Sequence, residues 1–308
     1  MKAQLKYSFK KEMAQFARKG KLLGIILAIF GFALVNPLMF KFVAVMLDQM
    51  NSMDLSKLDG QQYQAELVAE IKTSGGEAPD ISGLDGLGFG DMLDAYSSSQ
   101  IMFSTTLVSL AAYALLIIMI VMIKPAGSEQ RKREMIVPLC AGLEYKNYII
   151  PKFVIYPLSV FVFTFLGALA AGGLCNSMFS ADRLSFGQIA LTALMMGVYM
   201  AFIITVYLAL GLCSSRPGVM VPIVFVGQLF LPSIISALGL SKYQPFALLN
   251  LISALSEPSL GDILSENLTN ILVSCLISIA IGALMFFVTL AVLNSKRVDN
   301  QEEDKPEF

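Results

Sequence analysis

The sequence predicts an all-α membrane protein: six transmembrane helices, an N-terminal amphipathic interface helix, and a short helix in a cytoplasmic loop. Three observations carry that prediction. The chain of 308 residues is 56% hydrophobic and 15% charged, where soluble domains carry roughly 25% charged residues. Its apolar residues come in six blocks, each about the 20 residues that a bilayer crossing needs. Its lysines and arginines gather in every second connection, the distribution that sets orientation in a membrane.

Residues 1–21 form the first element. Leu5, Phe9, Met13 and Phe16 recur at helical spacing on one face, and Lys6, Lys10, Lys11, Arg18 and Lys21 fall largely on the other. Such a helix can lie in the interface with its lysines on anionic membrane lipid. An ordinary positive-inside anchor is the simpler alternative. A signal peptide is not expected, because the first apolar run begins near Leu22 after a long charged segment and no small-residue cleavage site follows.

The transmembrane domain covers residues 22–294. Segments 22–40, 101–123, 153–175, 189–213, 219–240 and 270–293 contain no Lys, Arg, Asp or Glu. Each such residue at a helix centre costs about 2.5–3.5 kcal/mol, so their absence fits lipid burial. Pro37, Pro157, Pro222 and Pro232 fall inside these spans, where neighbouring helices can satisfy the freed carbonyls.

Orientation follows from charge. Segment 1–21, loop 124–152, the turn at Arg216 and the tail 295–308 hold seventeen of the 22 Lys and Arg residues, so they face the cytoplasm. Both termini are therefore expected inside a plasma membrane. The opposite side holds Lys41, Lys57, Lys72, Arg183 and Lys242. Its largest loop, 41–100, carries ten acidic residues from Asp48 to Asp94. Gly83, Gly86, Gly88 and Gly90 make part of it flexible. It lacks the strand and glycine spacing of a nucleotide loop, and its acids do not follow a calcium-loop pattern. It reads as a solvated external loop.

Several chemistries lose their residues. There is no His, which removes the commonest metal ligand and general base. No G-x-x-x-x-G-K-[ST] sequence is present, so this chain has no P-loop for ATP phosphates. The spans hold no carboxylate for a proton relay and no Lys or His beside a nucleophilic Ser. Cys140, Cys175, Cys213 and Cys275 are scattered, as apolar fillers are. Nucleic acid is not an expected partner at a net charge of -1. The chain is read as non-catalytic, with no cofactor or metal of its own, and any work must come from another chain.

Loop 124–152 is the most informative stretch. Glu129, Arg131, Lys132, Arg133 and Glu134 make a charged start, followed by apolar Met135, Ile136, Val137 and Leu139. A charged-then-apolar helix on the inner side suits a soluble partner, although a basic loop that only fixes topology has the same pattern.

With the amphipathic N-terminus, the six spans and the large outer loop, this ordered set resembles the permease subunits of ATP-binding-cassette (ABC) exporters, type-two class. The charged start, Pro138, Leu139 and the closing Lys152 match that family's cytoplasmic loop, while Met135-Ile136 stands where it often has Gly-Thr. The segment from Tyr243 to Asn250 looks like its Pro-containing re-entrant piece. The resemblance implies a cytoplasmic coupling helix in which Glu129, Arg131, Lys132, Arg133, Glu134 and Leu139 meet a separate ABC ATPase subunit. ATP would bind to that partner, and a second permease subunit, identical or not, would complete the exporter. A non-transport scaffold or sensor, binding a partner through the acidic outer loop, is the alternative. Polar residues within the spans are few (Asn36, Tyr199, Tyr207, Gln228), which suits a hydrophobic or amphiphilic cargo but equally suits helix packing.

Overall fold

A backbone in hydrocarbon must satisfy its own N–H and C=O groups, which leaves helices for apolar blocks of this length. The computed structural model describes residues 2–18, 20–52, 97–128, 144–214, 216–239, 244–254 and 267–303. Among them are α1 (Lys2–Arg18), α2 (Lys21–Ser52), α3 (Ser99–Val121), α4 (Tyr145–Met178), α5 (Phe186–Cys213), α6 (Pro217–Ala237), α7 (Ala247–Ala254) and α8 (Leu268–Glu303). No strand occurs among the described residues; Ser98 and Ala181 form one isolated bridge.

Among the described residues, six helices are long and apolar enough to cross a membrane: α2, α3, α4, α5, α6 and α8. Each contains one of the six predicted segments or nearly all of it. By length and composition the chain is a multi-pass membrane protein. The helices outrun the apolar blocks because polar residues continue the same helix. The 34 residues of α4 rise about 51 Å, well beyond a hydrocarbon core of about 30 Å. Its first turns, with Lys146, Asn147 and Lys152, extend past the apolar stretch.

Local signals fix several ends. Ser185 caps α5 through a reciprocal pair: its hydroxyl accepts from the Gln188 N–H at 3.3 Å, and its own N–H donates to Gln188 Oε1 at 2.8 Å. Pro217 opens α6, where a missing N–H costs nothing. Pro37, Pro157, Pro222 and Pro232 lie inside continuous helices, as does Pro151. Within α3, residues Leu110–Ala114 form a π-helical turn.

The core sits on α5, whose most apolar stretch is 61% buried against 17% for α6. It packs on α4, α6, α7 and α8, while α4 also packs on α2, α3 and α1. Small residues let these backbones approach. A Cβ added at Gly172 would stand 2.5 Å from Ile189 Cγ2 on α5, and one at Gly167 would stand 2.8 Å from Ile29 Cγ2 on α2. Outward faces of α2, α6 and α8 are apolar and exposed, among them Phe42, Phe230 and Phe287.

We term the end carrying the α4 N-terminus the base, and the other the top. At the top, Asn176 of α4 gathers three bonds. Its Oδ1 accepts from Ser99 Oγ at 2.7 Å and from the Leu184 N–H at 3.0 Å, while its Nδ2 donates to the Leu184 carbonyl at 2.7 Å. Pro245, Phe246 and α7 turn back into the bundle, with Leu248 and Ile252 fully buried. The ring of Phe246 meets those of Tyr199 and Phe202 edge-on, at 6.3 and 6.1 Å.

Candidate functional site: the polar junction at the base of α4

Spacing along α4 places the junction. Tyr148, Lys152 and Tyr156 recur every four residues and therefore share one helical face. The face is buried: Lys152 and Tyr156 have no exposed surface. Lys152 Nζ donates to the Pro125 carbonyl at 3.0 Å and stands 4.5 Å from the centre of the Tyr148 ring. Lys152 thus closes the loop that begins at Lys124, drawing its two ends together. The exposed pair Glu144–Lys146, 2.7 Å apart, lies at the N-terminus of α4, Glu144 at the cap and Lys146 in the first turn. The hydrogen bond from Lys146 holds the Glu144 carboxyl below its ordinary range.

The loop's first arm is seated on α5. Residues Lys124–Ser128 make a kinked turn in which Gly127 adopts φ 140°, a conformation that favours glycine. A Cβ there would stand 2.5 Å from the Gly211 carbonyl oxygen, and a Cβ at Gly211 would stand 2.6 Å from the Ala126 oxygen. Two glycines thus allow backbone to touch backbone. Tyr148 and Ile149 pack with Leu212 of α5 and Leu293 of α8, and Phe153 meets Phe286 of α8 edge-on at 5.5 Å.

Helix α1 docks on the same face. Tyr156 donates its hydroxyl proton to Glu12 Oε1 at 2.6 Å and accepts from Lys21 Nζ at 3.0 Å. Glu12 and Lys21 are 4% and 5% exposed, so an acid and a base meet out of water through one phenol. Phe16 lies edge-on to the Tyr156 ring at 5.3 Å, and Asn147 Nδ2 donates to Gln4 Oε1 at 3.0 Å. Charge-assisted bonds of this kind contribute about 1.5–3 kcal/mol each. Opposing them, Ser8 Oγ and Gln15 Oε1 are buried without a hydrogen-bond partner, at a cost of about 1–3 kcal/mol each.

This docking departs from the expected apolar stripe in two respects. The buried line of α1 is Ser8, Glu12 and Phe16, whereas Met13 is 53% exposed. The Tyr156 hydroxyl gives Glu12 a partner that apolar periodicity does not register. Lys21, expected on the polar face of the N-terminal helix, instead begins α2 and is buried at the junction. Of the residues expected to couple to an ATPase, Glu129, Arg131, Lys132, Arg133, Glu134 and Leu139 lie outside the described residues. Sequence reasoning passed over Glu12, Tyr156, Gly127 and Gly211; the four-residue repeat Tyr148–Lys152–Tyr156 was the available signal.

Of the polar residues noted within the spans, Tyr199, Gln228 and Tyr207 serve helix contacts, whereas Asn36 Nδ2 is buried without a hydrogen-bond partner. Tyr199 donates to Gln228 Oε1 on α6 and Tyr207 to the Pro217 carbonyl, both at 3.4 Å. An apolar groove of about 720 Å³ opens between α4, α5 and α8. Phe153, Phe161, Phe202 and Phe286 line it with Thr205 and Ser278, whose hydroxyls are engaged by carbonyls of their own helices.

Fold and junction together define a class: a helical, multi-pass membrane protein by length and composition, with six described helices long and apolar enough to cross and a base tied through one helix face. No protein family, curated protein or solved structure matches the chain. What the junction can do is mechanical, because α1, α2, α5, α8 and the 124–128 turn all bear on the first three turns of α4.

Proposed function

We propose that the chain is the membrane-spanning permease subunit of an ABC exporter, moving a substrate across the plasma membrane with ATP hydrolysed by a separate ATPase subunit. The base, with both termini, faces the cytoplasm in this reading. The observation that supports it best is the position of α4. This helix emerges directly from loop 124–152, where the ATPase would dock, and its first turns contact almost every other element at that end. A push on the loop would reach α4 as a lever rather than dissipate in a slack connection. The groove between α4, α5 and α8 supports a hydrophobic or amphiphilic cargo, since its walls are apolar and its two hydroxyls are already engaged. A second permease subunit, identical or different, completes the exporter, and this chain itself holds neither ATP nor a metal.

Purification in mild detergent tests the proposal. A P-loop ATPase should copurify with the wild-type chain and be lost from the double variant Glu129→Ala, Glu134→Ala. If no ATPase associates, or if the variant retains it, this reading is overturned in favour of a scaffold or sensor working through the outer loop.

A further inference from the structure

We infer that α1 is a detachable strap, pivoting at Gly20 and held down by a clasp of Glu12 on Tyr156, with Lys21 beyond the pivot orienting the phenol. Four observations carry this. Gly20 sits between α1 and α2 at φ +69°, with no atom within 4 Å of the place a Cβ would occupy, so the bend is open as well as left-handed. The docking face is mixed for a helix seated on a membrane bundle: Gln4, Ser8, Glu12 and Gln15 contribute to it, Phe16 is buried and Phe9 is partly buried against the core. Polar contacts of this kind mark separable rather than permanent interfaces.

The third observation is internal opposition. Ser8 Oγ and Gln15 Oε1 are buried with no hydrogen-bond partner, so docking strands two polar atoms that undocking returns to water. Against them stand the two bonds that cross from α1 to α4, Tyr156 to Glu12 and Asn147 to Gln4. Terms of similar size and opposite sign leave a two-state element near balance.

The fourth is connection. The residue that clasps α1 lies one turn from Lys152, which grips the Pro125 carbonyl at the start of the loop. Movement of α4 therefore acts on both contacts at once. Tyr156 is a positioning residue here, and the strap belongs to the free chain whether or not an ATPase binds it.

Hydrogen exchange of the full chain in lipid nanodiscs separates this from a purely structural role. The variant Tyr156→Phe keeps the ring against Phe16 and removes both hydroxyl bonds. Its α1 amides should exchange about tenfold faster, the factor given by the loss of roughly one net hydrogen bond, with α5 amides unchanged. The double variant Ser8→Ala, Gln15→Leu removes the stranded atoms, and its α1 amides should exchange about tenfold more slowly. A core tyrosine would instead loosen α4 and α5 together with α1. That result, unchanged α1 exchange in Y156F, or unchanged or faster exchange in S8A/Q15L, overturns the strap. If Y156F does not fold, S8A/Q15L decides alone. No ATPase enters these measurements, so their outcome is independent of the copurification result.

Discussion

Lys152 has no exposed surface, so its ammonium must give its protons to fixed acceptors, and the Pro125 carbonyl is one of them. Lys152→Met keeps most of the stem and deletes the donor. We expect it to lower unfolding stability by about 1–3 kcal/mol, the cost of a buried acceptor left unmet. Lys152→Ala adds a cavity and should cost about 2–5 kcal/mol. Denaturant titration in detergent measures both, and a K152M midpoint equal to that of wild type would remove the bond from the account. Gly127→Ala meets a harder obstacle, since its Cβ would press on the Gly211 carbonyl, a backbone atom. At φ 140° the strain adds to the clash, and we expect a loss of at least about 2 kcal/mol. Glu144 predicts a pH effect of known sign. Its carboxyl is held below its ordinary range by Lys146, so any stabilisation from the pair is present above that range and lost as pH falls through the depressed value. The pair is exposed and screened, so Glu144→Gln should leave the unfolding midpoint at neutral pH unchanged.

Between helices, fit is set by small residues facing branched ones. Gly172→Ala would bring a methyl to 2.5 Å from Ile189 Cγ2. Side chains yield more easily than backbone, so we expect about 1–3 kcal/mol, and close to none in an Ile189→Ala background. Such a cycle assigns the cost to this one contact; equal costs in both backgrounds would place it elsewhere. Helix existence was legible in the sequence because a bilayer demands a length, and the charge-free blocks announce it. Helix rotation was not. In lipid the outward face is as apolar as the inward one, as exposed Leu27, Leu38 and Phe42 on α2 illustrate, so hydrophobicity does not mark the buried side. The facing of α1 was hidden for another reason: the partner of Glu12 lies 144 residues away.

Across the whole molecule, the distribution of Lys and Arg makes a statement that helix packing does not make. If the base faces the cytoplasm, single cysteines placed in loop 41–100 of a cysteine-free chain should react with an impermeant thiol reagent on intact cells. Those placed in loop 124–152 should react only after lysis. The reverse pattern would invert the topology and with it the site proposed for the ATPase. The candidate site was half legible. Lys152 stood out as the residue closing the inner loop, whereas the clasp around Tyr156 joins three segments whose sequences carry no shared pattern.

The π-helical turn in α3 has a consequence for phase. Buried pairs along that helix fall at Met102/Phe103, Thr106/Leu107, Leu110/Ala111, Ala114/Leu115 and Ile118/Met119, a repeat of four. An ideal α-helix advances about 100° per residue, so a repeat of four drifts about 40° each turn. Left uncorrected, the seam would wind off its neighbours within a few turns. The wide turn at Leu110–Ala114 takes up one surplus residue and resets the angle. Deleting Ala112 should therefore return the turn to regular α-helix and leave Ile118 and Met119 in the seam. Deleting a residue of the regular stretch before it, such as Thr105, should instead swing the residues beyond by about 100° unless the turn reverts.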